Sequence, residues 1–174
     1  MSIDTFPVLK FEPIEFMHPS QRFDTGASFV IISVMNTFVP SHSCYGLTQL
    51  NRLREDVKKL INKIHATSPN SWQYTDYPDI QNVIGCFEGA MELSLAIEMK
   101  HAWFDEKSIR KLLKKYHQEC ALWVEGNHAS LIHKDKLKPT EYIGKWTQCE
   151  NNIPMTSAYT QSLLTGITYE VDYS

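Results

Sequence analysis

Apolar and polar residues alternate without a break between residues 91 and 100 of this chain. Met91, Leu93, Leu95, Ile97 and Met99 alternate there with Glu92, Ser94, Ala96, Glu98 and Lys100. Because successive side chains of a strand point to opposite faces, the pattern predicts a strand with five apolar side chains on one face. A short apolar run, 82–87, precedes it across Gly89, so residues 82–100 are predicted to form a β-hairpin.

Two stretches carry the three- and four-residue spacing of apolar residues that is typical of amphipathic helices. The first has its apolar stripe at Leu47, Leu50, Leu53, Val57, Leu60 and Ile64. The second begins after a predicted N-cap at Asp105, and its apolar face holds Ile109, Leu112, Leu113 and Tyr116. Each helix must bury its stripe, and the predicted sheet supplies an apolar face for this.

Three further segments complete the predicted fold. The run Ser28 to Met35 is rich in β-branched residues and apolar on both faces, which indicates a central strand. Residues 120–133 are predicted to form a strand, a Gly-Asn turn and a second strand, and residues 167–173 a closing strand. The predicted fold class is therefore α+β, with a mainly antiparallel sheet of hairpins packed against two amphipathic helices.

The chain is predicted to form a single globular domain over residues 1–174. Evenly spaced prolines indicate an extended N-terminal segment over residues 1–27. The polar stretch 134–166 is predicted to be an irregular connection. The sequence contains no internal repeat or low-complexity linker that would divide it.

Composition and charge narrow the range of functions. Lys and Arg number 17 against 20 Asp and Glu, for a formal net charge of -3, so nucleic-acid binding by a general basic surface is disfavoured. The sequence has no basic leader followed by an apolar run, and its longest apolar run is far shorter than the roughly 20 residues of a membrane span. We therefore expect a cytoplasmic protein without membrane contact, whose four widely spaced cysteines are reduced.

Candidate catalytic residues are few. Cys44 lies just before the first helix, where a thiolate is stabilised, and His42 lies close by, so one alternative is a small intracellular enzyme using Cys44 or a histidine. Glu98 and His101 would point to opposite faces of a strand, so no metal site is predicted. Glycine-rich phosphate-binding motifs are missing from the sequence. No cofactor is predicted, and this profile favours a protein that is not an enzyme.

A second alternative uses the basic helix 106–118. Its basic residues are Lys107, Arg110, Lys111, Lys114 and Lys115, with tryptophans nearby in the sequence. Such a face could bind a nucleic acid, although a charged run on a helix is more often its solvated face.

Three segments together resemble a known class of proteins. They are SFVIISVMN, LTQLNRLREDVKKLINKI and NVIGCFEGAMELSLAIEMK. In their order and character they resemble bacterial immunity proteins that neutralise contact-dependent growth inhibition or other polymorphic toxins. The resemblance implies a protein-binding inhibitor whose partner is a cognate toxin, bound through charge complementarity.

The candidate protein-binding residues are Glu92, Ser94 and Glu98. They share one face of the predicted strand 91–99, opposite its apolar side chains, and that face is expected to meet solvent. The two carboxylates would then be displayed together to a basic partner, and the simpler interpretation is a strand face that is only solvated.

Overall fold

The computed structural model describes residues 28–34, 44–67, 78–87, 89–99 and 105–173. The described strands are β1 (Ser28–Ser33), β2 (Ile80–Phe87), β3 (Ala90–Glu98), β4 (Cys120–Glu125), β5 (His128–His133), β6 (Glu141–Gln148), β7 (Tyr159–Ser162) and β8 (Thr168–Asp172). The described helices are α1 (Cys44–Thr67) and α2 (Glu106–Lys115), and a short 3-10 turn, Glu150–Asn152, follows β6.

The eight strands close into an antiparallel barrel in the order β1-β3-β2-β7-β8-β6-β5-β4. Sequential neighbours form hairpins in β2–β3, β4–β5 and β7–β8. Closure depends on strands that are distant in sequence, because β1 pairs with β4 and β2 pairs with β7. The predicted sheet of hairpins packed against helices is therefore wrong as a fold class. Local alternation shows which residues share a face, but it does not show that the two edges of the sheet pair with each other.

Apolar residues of the strands divide into an outer and an inner cluster. The outer cluster joins the outward faces of β1 and β3 to the helices, and includes Val30, Ile32, Leu95, Ile97, Leu50, Leu53, Val57, Ile109 and Leu113. The inner cluster fills the barrel with Phe29, Ile31, Val83, Ala96, Val124, Ala129, Trp146, Tyr169 and Val171. An eight-stranded barrel is just wide enough for side chains to fill it, so the sheet is buried on both faces where the helices cover it.

The local predictions agree with the structure along most of the described chain. β2 and β3 form the predicted hairpin, and Gly89 adopts a φ of 83° in its turn. α1 contains the whole predicted stripe 47–64. Asp105 caps α2, because its carboxylate accepts a hydrogen bond of 2.8 Å from the Ser108 N–H. β4, β5 and β8 lie within the segments predicted to form strands.

The stretch 134–166, predicted as an irregular connection, contains β6 and β7. β7 is only four residues long, and the register between β5 and β6 shifts between Ala129 and Ser130. A short strand and a register shift both interrupt the alternation by which strands are recognised in a sequence. The predicted extended segment 1–27 lies outside the described residues.

Gly144 is required where β6 runs beside β8. Its φ is 155°, and a Cβ atom there would lie 2.2 Å from the carbonyl oxygen of Asp172. No L side chain fits this position without moving the backbone, so glycine allows the close approach of the two strands.

Two expectations about the protein's surroundings can be compared with the described residues. No described helix has the length and apolarity needed to cross a membrane. Cys86, Cys120 and Cys149 are free thiols, as predicted, and the side chain of Cys44 lies outside the described residues.

A charged hydrogen-bond cluster joins α1 to the end of α2. The Tyr116 hydroxyl donates to Asp56 Oδ2 at 2.6 Å, and Lys115 Nζ lies 2.7 Å from the same oxygen. Burial raises the pKa of Asp56, but the hydrogen bonds from Lys115 and Tyr116 outweigh it and hold the pKa below its ordinary 3.8. The ionised carboxylate therefore stabilises the packing of the two helices.

We expect Tyr116→Phe to lower the free energy of unfolding by about 1–2 kcal/mol at neutral pH, because a hydrogen bond to a charged group is lost. The folded-state pKa of Asp56 is depressed, so its stabilising contribution is present above 3.8 and is lost as pH falls through the lower folded value. Urea unfolding at pH 7 and at about pH 2 should therefore show a smaller difference between variant and wild type at the acidic pH. Tyr142→Phe, at a side chain 56% exposed, is the control. An equal difference at both pH values would contradict this assignment.

Candidate functional site

The inner face of β3 runs along the barrel interior from one end of the barrel to the other. Ser94 and Ala96 are each 2% exposed and line the interior, and Glu92 and Glu98 lie on the same face at either end of them. Six residue steps at about 3.3 Å each separate the two carboxylates by roughly 20 Å. We call the two ends of the barrel the Glu92 mouth and the Glu98 mouth.

The predicted protein-binding residues Glu92, Ser94 and Glu98 thus share one face of β3, but that face points into the barrel rather than to solvent. Ser94 is buried, and both glutamates are half-buried. Closure of the sheet is the reason, since a face that would meet solvent in an open sheet becomes the interior of a barrel. The three side chains do not form one exposed patch.

At the Glu92 mouth, the Glu92 carboxylate lies in a wall of small residues. Gly85 of β2 is directly opposite Glu92, and Thr160 of β7 is directly opposite Gly85. The Ser33 side chain is hydrogen-bonded to the Glu92 side chain. Burial raises the pKa of Glu92 above its ordinary 4.5, and the Ser33 hydrogen bond opposes this only in part. Glu92 is therefore a desolvated carboxylate whose ionised form a nearby cation would stabilise.

The opposite wall of the Glu92 mouth is built from β4, β5 and β6. Cys120 and His133 are paired across β4 and β5, on the face that carries the inner residue Leu122. His133 Nε2 lies 3.3 Å from Glu141 Oε2. The pKa of Cys120 is raised first by burial and then by the negative charges of nearby glutamates, Glu92, Glu119 and Glu141. Lys138 acts on it in the opposite direction.

This composition decides what the Glu92 mouth can do chemically. The raised pKa keeps Cys120 protonated at neutral pH, so it is a poor nucleophile. Within the described ranges, no group of three or more His, Cys, Asp or Glu side chains is arranged to hold a metal ion. What remains is the half-buried carboxylate of Glu92 beside hydroxyl groups, with the exposed carboxylate of Glu141 on the opposite wall, an arrangement that can bind a small cationic group or accept a proton.

The Glu98 mouth differs because its polar groups bind one another. The Asp79 N–H donates to Glu98 Oε2 at 2.9 Å, and Gln81 Nε2 donates to Asp79 Oδ2 at 2.7 Å. The Ser162 hydroxyl donates to Gln81 Oε1 at 3.2 Å. This chain of hydrogen bonds ties β3, β2 and β7 together, so we assign the cluster to stability of the barrel end.

The other predicted catalytic residues lie elsewhere. Cys44 is the first residue of α1, as expected for a helix N-terminus, but its side chain and all of His42 lie outside the described residues, as does His101. His128 is exposed beside the ring of Tyr142, at a centroid distance of 5.7 Å. His133, which lies in a segment predicted to be a strand, is at the Glu92 mouth in the structure.

The basic helix 106–118 holds several of its charges in contacts with the fold. Arg110 forms an ion pair of 3.0 Å with Glu106 and donates to the carbonyl of His133 at 3.1 Å. Lys115 is bound to Asp56. These contacts account for part of the basic face, and nucleic-acid binding there stays an untested prediction.

Comparison with known protein families identifies the class of this chain. The model of the S-adenosylmethionine lyase family matches residues 52–172, well over half of the sequence. The chain belongs to the S-adenosylmethionine lyase family. The matched range includes Gly85, Glu92 and Cys120 of the Glu92 mouth. Comparison with curated proteins finds no match.

Membership of the lyase family overturns the resemblance to bacterial immunity proteins and the toxin-inhibitor function drawn from it. That resemblance used the order of a strand, a helix and a hairpin, which unrelated folds share, so it could not specify a function. The predicted toxin partner depended on the resemblance alone, and nothing tests it. The alternative of a small enzyme agrees better with the family.

Five residues of the Glu92 mouth were not proposed as site residues from the sequence: Ser33, Gly85, Cys120, Glu141 and Thr160. Only Gly85 carried a local signal, because it interrupts the strand NVIGCF and glycine within a strand often marks a close approach of a ligand or backbone. The other four reach the mouth through pairings between strands.

Proposed function

We propose that this protein is a lyase that cleaves S-adenosylmethionine at a carbon–sulfur bond of its sulfonium. The observation that carries the proposal is the family match over residues 52–172. The sulfonium sulfur bears a positive charge and leaves as a neutral thioether when one of its bonds breaks. A lyase breaks that bond without consuming water, so the carbon that loses the sulfur gains its new bond from within the substrate. Either the substrate's own carboxylate closes a ring on that carbon, or a neighbouring C–H bond loses its proton and a double bond forms. The protein's part is to bind and orient the cation and, in the second case, to accept the proton.

The Glu92 mouth suits such a substrate. Glu92 and Glu141 supply negative charge, and burial of Glu92 strengthens its attraction for a cation that displaces water from it. The Ser33 and Thr160 hydroxyls supply further polar contacts on neighbouring strands. In this proposal Glu92 contacts the substrate, and the buried Ser94 supports the same face of β3.

A cytoplasmic location is part of the proposal. It is supported by the free thiols of Cys86, Cys120 and Cys149, because reduced cysteines are the rule in that compartment. Thiol counting on the protein isolated from its source cells, without added reductant, would test it.

The direct test is incubation of purified protein with S-adenosylmethionine, followed by mass spectrometry of the mixture. We expect loss of the substrate and formation of a neutral thioether in equal amount. In water enriched in ¹⁸O, the first-formed products of a lyase should carry no label, which separates cleavage from hydrolysis. S-adenosylhomocysteine, which lacks the sulfonium charge, is the control and should remain intact. Unchanged S-adenosylmethionine in the presence of folded protein would contradict the proposal.

A further inference from the structure

Gly85 has no conformational reason to be glycine. Four other described glycines have a backbone φ between 62° and 155°, a range that residues with a side chain rarely adopt. They are Gly89, Gly126, Gly144 and Gly166. Gly85 lies outside that range, within the regular pairing of β2 and β3. An L residue with a side chain could therefore adopt its backbone conformation without strain.

Packing does not require glycine at this position either. A Cβ atom on Gly85 would lie 3.7 Å from Ser94 Oγ and 3.9 Å from the carbonyl oxygen of Glu92, both ordinary contacts. At Gly144, by contrast, a Cβ atom would lie 2.2 Å from a backbone oxygen. Glycine within a strand costs roughly 0.5–1 kcal/mol relative to alanine. None of the described contacts at Gly85 explains why this loss of stability is tolerated there.

At Gly85 the inner wall beside Glu92 carries no side chain. Gly85 faces inward, like Val83 two residues earlier, and lies between Glu92 on one neighbouring strand and Thr160 on the other. Gly85 and Glu92 are both half-buried, so this position lies near the end of the barrel that we call the Glu92 mouth. A carboxylate and hydroxyl groups border it, which favours a small cationic group over an apolar one.

We propose that Gly85 is a specificity-determining residue, whose lack of a side chain lets the sulfonium-bearing part of S-adenosylmethionine approach Glu92. A sulfonium carries no N–H donor, so it cannot reach a carboxylate through a directed hydrogen bond and must instead come into close contact with it. A side chain at residue 85 would occupy the space through which that contact is made. The inference rests on the proposed function and names the part of the substrate that the Glu92 mouth receives.

The test compares Gly85→Ala and Gly85→Val with the wild type. Calorimetry with sinefungin, an analogue that carries an amine in place of the sulfonium, measures binding without turnover, and the KM for S-adenosylmethionine measures the substrate itself. We expect Gly85→Val, which adds three carbon atoms, to weaken sinefungin binding and raise KM by about tenfold or more, since even one extra carbon in a binding site can cost about tenfold. Gly85→Ala, which adds one carbon atom, should lie between Gly85→Val and the wild type. Melting temperatures should stay at or above the wild-type value.

Met91→Phe is the matched control, because it adds volume on the outward face of β3 at a side chain already 53% exposed. It should bind sinefungin as the wild type does. A folded Gly85→Val protein with wild-type binding and KM overturns the inference and leaves the proposed function standing. If Gly85→Val does not fold, wild-type binding and KM in Gly85→Ala overturn it. If the wild type neither cleaves S-adenosylmethionine nor binds sinefungin, both the proposed function and the inference fail.

Discussion

Glu92→Gln is expected to reduce kcat/KM for S-adenosylmethionine by about 10²–10³-fold, the usual effect of removing one electrostatic contact to a charge in an active site. The amide keeps the size and shape of the side chain and can still bond to Ser33, so the variant removes charge and little else. The negative charge of Glu92 is what a cationic substrate would meet at this mouth of the barrel. Loss of that charge therefore tests the site and not the fold.

The same substitution is expected to leave the protein as stable as the wild type or to make it more stable. The folded-state pKa of Glu92 is raised, so the carboxyl group favours folding below its ordinary pKa, and this contribution is lost as pH rises through the folded value. At neutral pH the ionised group is desolvated at a cost, which the neutral amide avoids. Activity and stability should therefore change in opposite directions, as is common where a binding site is not optimised for folding.

Melting curves and kinetics across pH measure both effects. The wild-type kcat/KM should rise with pH through the raised pKa of Glu92, above its ordinary 4.5, and that rise should be absent from Glu92→Gln. Glu98→Gln is the matched control, since it makes the same change at the other mouth, where the amide oxygen can still accept from the Asp79 N–H. Equal activity of Glu92→Gln and wild type would remove Glu92 from the site.

The sequence predicted local structure well because local structure follows from alternation and capping. The 91–99 alternation, the Asp105 cap and the Gly89 turn each depend on a few consecutive residues, and the structure contains all three. Closure of the barrel depends on pairs such as Phe29–Val124, which join segments that are far apart in the sequence. Neither segment contains a pattern that shows which strand it pairs with. Hydrophobic periodicity therefore could not predict the fold class.

The candidate site shows how an error about the fold becomes an error about function. Glu92, Ser94 and Glu98 were correctly placed on one face of a strand, but the sequence gives no sign that a polar strand face is enclosed. Polar residues within a barrel interior look the same in sequence as polar residues facing solvent. The raised pKa of Glu92 comes from burial, which depends on the pairing of β3 with β1 and β2 in a closed barrel, so its chemistry could not be derived before the pairings were known.

Leu95→Asp is expected to abolish folding or to lower the melting temperature by more than about 15 °C, the largest effect on stability predicted for this chain. Leu95 is 0% exposed, in the outer cluster where β3 meets the helices, and it is paired with Ile32 of β1. An unpaired carboxylate there costs several kcal/mol, against a total stability of roughly 5–15 kcal/mol for a protein of this kind.

Met91→Asp tests whether this effect comes from burial or from any charge on the outward face of β3. Met91 lies on the same face but is 53% exposed, so the same new charge remains in water and should change stability by about 0.5 kcal/mol or less. Circular-dichroism melts of both variants give the comparison, because the strand assignment requires one severe and one mild effect four residues apart. A Leu95→Asp melt that coincides with that of Met91→Asp would show that residue 95 is not covered by the helices, and the outer cluster would then lose the contact on which its packing depends.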